Sequence, residues 1–479
     1  MRAVRPPRLA AALSALVGMS ACASMTPPTI MPAETWQGPT PLESAAPATF
    51  PDGAWWQRFQ SEELSGLITA ALNDNHGLKA AVARILQAEA SAKIAGAALY
   101  PSVSAGFAAG RSVRQVPGGP DSAGSSYQGT LQAAYQLDLF GQVRNAAAAA
   151  AQRYQSSVFD RETVAITLVS SVSTAYLQTL SARERLQLTA DRLKNAESIL
   201  KLLEAQRRIG TLSDLELAQQ RSALASQRAA IPALRLAERQ SLDALAVLLG
   251  RNPQGFDVKA RTLNEVTLPV VDAGIPSALL IRRPDLRRAE SDLKAANFDV
   301  ATARTARLPS IALTASGGSA SGALADLFST GTFFYSLGGS VAQSLFAGGR
   351  LQGQEQGARA RYREVAANYE QAVIAAFSDV ENALAAVDLN GQQFTLAREA
   401  ADQADLAYRL AERRYRAGAV DFQTVLNAQN AAFQTQEAVV QNKLARFIAV
   451  IGLTQALGGG WDGALPDAGA LKIVYDSSQ

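Results

Sequence analysis

The stretch Tyr127-Gln128-Gly129-Thr130-Leu131-Gln132-Ala133-Ala134-Tyr135-Gln136-Leu137-Asp138-Leu139 decides the fold. Every odd position from 127 to 139 carries an apolar or small residue, and the even positions carry Gln, Thr, Ala and Asp. Side chains in a strand point to alternate faces, so this period of two predicts a strand with one apolar face and one wet face. A second stretch repeats the pattern. Phe333, Tyr335, Leu337, Gly339, Val341 and Leu345 alternate with Ser336, Gly338, Ser340, Ala342 and Ser344. Two weaker stretches precede them. Val103, Ala105, Phe107 and Ala109 alternate with Ser104, Gly106 and Ala108; Ile311, Leu313 and Ala315 alternate with Ala312, Thr314 and Ser316. Strands of about ten residues suit a tilted membrane span, and an apolar face opposed by small uncharged residues suits a barrel wall around water. The strands are expected at about 101–110, 126–140, 309–318 and 331–346, with Gly-, Ser- and Pro-rich loops at roughly 110–126 and 318–331.

Four strands make an open sheet. In lipid its unpaired edge groups would each cost several kcal/mol, so the barrel has to close between chains. Three chains would supply twelve strands.

Around the strands the chain repeats itself at an offset near 207. Leu99-Tyr100-Pro101-Ser102 returns as Leu308-Pro309-Ser310, Leu139-Phe140-Gly141 as Leu345-Phe346-Ala347, Gly210 as Gly418, and Leu249-Gly250 as Leu457-Gly458. Each half reads helix, strand, loop, strand, long helix, tight turn, helix. The run 142–209 contains neither Gly nor Pro. At 1.5 Å per residue it would reach roughly 100 Å. Leu186, Leu193 and Leu200 recur every seven residues, with Ala196 and Leu203 between them, which is coiled-coil spacing. Its counterpart, about 348–417, carries Leu389, Leu396 and Leu410 in the same phase. Shorter return helices are expected at about 213–249 and 421–457, the first kinked at Pro232. The halves span 54–255 and 275–461, with a linker at 256–274 and a tail at 462–479.

The first residues read as an export signal. Arg2, Arg5 and Arg8 precede the apolar run Leu9 to Met19, and Met19-Ser20-Ala21-Cys22 resembles a lipobox, with Met19 in place of the usual leucine. Cys22 is the only cysteine and the expected lipidation site, after a signal at 1–21. Ala23 follows it, where enteric lipoproteins held at the inner membrane carry aspartate. Residues 22–53, rich in Pro and Ala, read as a tether. The formal charge of +3 equals the three signal arginines, so the remainder is near neutral and gives no sign of nucleic-acid binding. One cysteine permits no intrachain disulfide, and the single histidine, His76, makes a poor metal site. No nucleophile motif, metal cluster or phosphate loop points to an enzyme or a cofactor.

Three further strings carry a resemblance. They are Trp55-Trp56 with Phe59, Leu64, Leu67, Ala70, Leu72 and Asn75; Gly274-Ile275-Pro276-Ser277 through Leu280 with Arg282-Arg283-Pro284-Asp285-Leu286 and Ala289-Glu290; and Leu457-Gly458-Gly459-Gly460-Trp461. With them the chain resembles the TolC-like outer membrane factors, and within these the NodT-type lipoproteins of RND efflux systems. The resemblance implies a homotrimer: a twelve-stranded barrel in the outer membrane, continued by a helical barrel in the periplasm. It also implies two partners, a periplasmic adaptor and an inner-membrane RND transporter. The Arg-Arg-Pro-Asp string reads as structural, Pro284 taking the first helical position and Asp285 favouring the helix start.

The far end of the long helices is the expected periplasmic entrance, at the turns 210–214 and 418–421. Gly210 and Gly418 suit helix ends, and Ser213 and Asp421 suit the caps of the next helices. The resemblance implies an apolar ring and a carboxylate ring on the helix after the second turn. Gln423 and Asn427 stand at those positions and depart from the pattern. Asp421, Glu216 and Asp214 are the remaining candidates for charge at the entrance. Two other readings share some of these features: the duct of a type I protein secretion system, and a lipid-tethered periplasmic scaffold without a pore.

Overall fold

A computed structural model describes residues 53–114, 117, 122–210, 213–271 and 279–461. Cys22 with its signal and tether, Thr211 and Leu212 of the first turn, the string 274–277 and the tail 462–479 lie outside the described residues. In chain order the elements are a 3-10 turn Trp55–Phe59, helices α1 (Glu62–Asp74) and α2 (His76–Ala97), strands β1 (Ser102–Arg114) and β2 (Ser122–Leu137), and helices α3 (Gln142–Arg208) and α4 (Asp214–Leu248). The second half holds α5 (Leu279–Arg282), α6 (Pro284–Thr305), β3 (Ser310–Ser321), β4 (Phe333–Ala342), α7 (Arg350–Arg416) and α8 (Phe422–Ala456). The repeat is stricter in structure than in sequence. Helices α2, α3 and α4 start at 76, 142 and 214, and α6, α7 and α8 start at 284, 350 and 422, each 208 residues later.

The chain divides into two compact units. One comprises Ala88–Tyr154 and Glu290–Glu370, and so holds the strands. The sheet runs β1-β2-β3-β4, every neighbour antiparallel, so β2 and β3 join the two halves. The register pairs odd residues with odd ones: Val103 with Ala133, Ala133 with Ala315, Ala315 with Leu337. Val103, Phe107, Leu131, Tyr135, Leu313, Tyr335, Leu337 and Val341 therefore share one face, and Ser104, Gln132, Thr314 and Ser340 share the other. Below the sheet, Leu293, Ala296 and Val300 of α6 bury against Tyr362 of α7. Glu355 accepts from Arg307 at 2.7 Å and from Arg359 at 2.8 Å, which ties α7 to the end of α6. These two guanidinium groups hold the Glu355 carboxyl below its ordinary pKa.

The strand ends differ from the sequence expectation. β2 stops at Leu137, because Asp138 accepts from the backbone N–H groups of Val143 (3.2 Å) and Arg144 (2.9 Å), and Gly141 takes φ +81° to start α3. β4 stops at Ala342, ahead of Gly348 and Gly349 with φ +57° and +83°. β1 continues to Arg114, since backbone pairing extends past the apolar pattern once the register is set.

The second unit comprises Gln155–Ala289 with the described parts of Ile30–Gln87 and Gln371–Gln479. Its core gathers Trp55, Phe59, Leu64, Ile68, Tyr176, Leu177, Leu180, Leu245, Leu249, Phe447 and Ile451. Phe59 stacks on Phe447 with centroids 6.1 Å apart. Each such side chain contributes about 1.5–3 kcal/mol by leaving water. The segment expected as a linker is packed here: Val258, Leu263 and Val266 are buried. Arg183 of α3 pins it, donating to the carbonyls of Val258 (2.6 Å) and Ala260 (2.8 Å) and pairing with Asp257 and Glu238.

The duplicated motifs explain one another in this unit. Gly250 ends the first half with φ +67°, and a Cβ there would lie 2.6 Å from the Asp74 carbonyl. Gly458 ends the second half with φ +96°, and a Cβ there would lie 2.4 Å from the Arg282 carbonyl. Beside these contacts Asn75 donates to the Leu248 carbonyl at 2.8 Å, and Arg283 donates to the Ala456 carbonyl at 3.3 Å. Arg283 also grips Asp285 (2.6 Å) and Asp379 (3.1 Å). The Arg-Arg-Pro-Asp string thus fastens the end of the last helix to the start of α6. Helix α4 runs unbroken through Pro232.

Candidate functional site: the turns at Gly210 and Gly418

Both turns lie in the second unit, and in each a left-handed glycine follows the end of the long helix. Helix α3 ends at Arg208, and Gly210 follows with φ +80°. Helix α7 ends at Arg416, and Gly418 follows with φ +73°. Gly418 N–H donates to the Tyr415 carbonyl and Ala419 N–H to the Arg414 carbonyl, both at 2.9 Å. This paired closure satisfies the last carbonyls of the helix and requires the left-handed glycine.

The next helices start with side-chain caps. Ser213 and Glu216 form a reciprocal capping box at the start of α4. Asp421 accepts from Thr424 N–H (2.9 Å) and Thr424 Oγ1–H (2.6 Å) at the start of α8. Those bonds from Thr424 hold the Asp421 carboxyl below its ordinary pKa. Asp214 is lowered likewise, by its hydrogen bonds from Arg207 at 2.6 and 2.9 Å. The three candidate carboxylates therefore each serve a local partner. No group of three or more His, Cys, Asp or Glu residues suited to a metal exists among the described residues.

The two turns sit side by side. Leu203 of α3, Leu217 of α4, Ala411 of α7 and Phe422, Val425 and Leu426 of α8 form one buried cluster beneath them. Tyr415 meets Phe422 edge-on at 5.7 Å and donates its hydroxyl to Gln206 Oε1 at 3.2 Å, which bridges the two long helices. Gln423 and Asn427 are exposed and bonded to each other, Gln423 Nε2 donating to Asn427 Oδ1 at 2.9 Å. A groove of about 460 Å³ runs beside them, with Ser222, Ser226 and Gln227 of α4 on one wall and Gln423 and Asn430 of α8 on the other. Gln227 is 7% exposed, and its Oε1 has no partner among the described residues.

The sequence reading overlooked the arginines here. Arg207 and Arg208 end α3, and Arg413, Arg414 and Arg416 end α7. The signal was present, since cations favour the negative end of the helix dipole.

Fold and turns together describe a duplicated protein of long paired helices and a four-stranded antiparallel sheet. The chain belongs to the outer membrane efflux protein family, whose model matches residues 67–251 and 275–459, one copy on each half. Among relatives it is 37% identical over 470 residues to the pyoverdine export outer membrane protein OpmQ of Pseudomonas putida, covering 96% of this chain and 99% of that one. It is 31% identical over 462 residues to the probable outer membrane lipoprotein SilC of Salmonella typhimurium, covering 94% and 98%. Among solved structures it matches the open state of the MtrE outer membrane channel of Neisseria gonorrhoeae with a TM-score of 0.82 and 30% identity, covering 91% and 98%. The chain is thus an outer-membrane efflux component, as its resemblance implied.

Proposed function

We propose that three copies of this chain close a twelve-stranded barrel in the outer membrane and continue it as a helical duct. Through that duct a periplasmic adaptor and an inner-membrane RND transporter export small molecules. One observation carries the reading: among the described residues β1 and β4 each have a single strand neighbour, while Val103, Phe107, Leu131, Leu313, Tyr335, Leu337 and Val341 share one face. Such a sheet is stable in lipid only when its edges are paired. β1 and β4 bound a four-strand meander, so placing β4 of one chain against β1 of the next keeps every neighbour antiparallel. The heptad residues Leu389, Leu396 and Leu410 of α7, 59%, 65% and 47% exposed in the single chain, support packing against a neighbouring copy. Cys22 is the lipid attachment, in keeping with the lipoprotein description of SilC.

The turns at Gly210 and Gly418 form the periplasmic entrance, with Gln423 and Asn427 at its constriction. The unpartnered Gln227 carbonyl in the adjacent groove supports contact with a polar helical partner there. Deletion of the gene should raise accumulation of a fluorescent efflux substrate. Wild type should restore export, and a variant unable to insert, Leu131→Arg, should not. Unchanged accumulation on deletion across a panel of substrates would contradict the efflux role.

A further inference from the structure

The paired register ranks the odd-numbered face of the sheet in rows. Leu137, Ile311 and Val341 form the row at the helix end. Towards the loops come Leu131 with Tyr335 two strands away, then Phe107 with Phe333 at the two edges, then Ala109 with Tyr127. Phe107, Tyr127 and Phe333 therefore occupy the two rows nearest the loop end, with Tyr335 at mid-sheet beside the Leu131 row and Tyr135 towards the helix end. The next row holds Arg111, opposite Ser125. Arg111 is exposed and is the one charged residue on this face among the described strand residues.

The position of that row follows from strand geometry. From Leu137 to Tyr127 is ten residues along β2. At about 3.4 Å per residue and a tilt near 45°, those rows rise about 24 Å, close to the apolar band of about 25 Å on outer-membrane barrels. The Arg111 row lies two residues further, about 5 Å above it, where hydrocarbon gives way to head groups. Amphipathic aromatic rings concentrate at that boundary, and Tyr127 and Phe107 lie one and two rows below Arg111 on β2 and β1. A guanidinium at this depth has hydrocarbon beneath it and lipid phosphates beside it. Its planar fork of donors matches a phosphate in bidentate fashion.

We propose that Arg111 binds the phosphate of a phosphorylated glycolipid of the outer leaflet, whose acyl chains lie on the rings of Phe107 and Tyr127. This rests on the reading of the odd-numbered face as the lipid face. The opposite face offers an internal control, because Arg114 pairs with Ser122 on the even, lumen-side set.

The test reconstitutes full-length protein into phosphatidylcholine vesicles doped with lipid A, either bearing its phosphates or enzymatically dephosphorylated. Insertion is measured by flotation and retained glycolipid by native mass spectrometry. Wild type should retain the phosphorylated form preferentially. Arg111→Gln should weaken that retention roughly fivefold, as loss of one cation at an anionic surface gives. Arg114→Gln should leave it unchanged. An inserted wild type with no preference for phosphate, or an inserted Arg111→Gln that keeps it, overturns the proposal and leaves the barrel reading intact. Equal loss in Arg114→Gln and Arg111→Gln, or failure of wild type to insert, overturns the assignment of faces and the proposal with it.

Discussion

Gly318 of β3 packs directly against the backbone of β2. A Cβ there would lie 2.1 Å from the Gly129 carbonyl oxygen, a backbone atom that cannot swing aside. Gly318→Val should abolish barrel assembly, read as loss of heat-resistant oligomer on gels, whereas Gly124→Ser, with nothing within 4 Å, should assemble normally. The sequence shows both glycines in polar strand stretches and cannot rank them, because the clash exists only once the strands are in register. Arg283 is the second residue whose weight comes from its partners. Arg283→Ala removes the donor to Asp285, Asp379 and the Ala456 carbonyl at once. It should cost about 1 kcal/mol, the net worth of hydrogen bonds whose carboxylate partners remain partly exposed to water. A lowered guanidinium chloride midpoint would register it, and an unchanged midpoint would refute the clasp. That this string is structural was legible from Pro284 and Asp285. Its equivalence to Asn75 was not, because Asn and Arg share no chemistry beyond a long-reach donor to a helix-end carbonyl.

The strands and the tip helix are the elements whose faces decide function. The alternation at 127–139 was enough to sort the residues of each strand, since a period of two has only two phases. It could not show that β2 pairs with β3, because nothing local encodes a contact between halves. Leu131→Arg places a charge on the apolar face and should oppose insertion by about 2–4 kcal/mol near mid-membrane. Gln132→Lys, one residue on and on the other face, should insert normally and shift ion selectivity. Equal behaviour in urea-dependent folding into vesicles would refute the face assignment. On α8, Asn427→Asp retains the acceptor for Gln423 Nε2 while adding a charge, so local structure should survive. If Asn427 lines the entrance, three such charges should make single-channel conductance sensitive to millimolar divalent cations. A conductance no more cation-sensitive than wild type would move the constriction elsewhere. The exposed leucines of α7 mark the limit of heptad reasoning. The spacing announces a packed stripe and does not say whether the partner is the same chain.

At the scale of the molecule, the duplication was readable because turn glycines recur at a fixed offset, Gly210 with Gly418 and Gly250 with Gly458, all with positive φ; the structure pairs Gly141 with Gly349, where the sequence match had set Gly141 against Ala347. Side chains drift between repeats, while a left-handed turn admits few substitutes. The packing of 256–271 was not readable, since Val258, Leu263 and Val266 follow no period and are held by Arg183, Glu63 and Glu184 from elsewhere in the chain. In the proposed assembly one chain supplies an incomplete wall and two further copies complete it. Native mass spectrometry of protein extracted from outer membranes in mild detergent tests it most directly. One species of three chains is expected, with no folded single chain at any dilution that preserves the barrel. A folded, membrane-inserted single chain as the dominant species would contradict it.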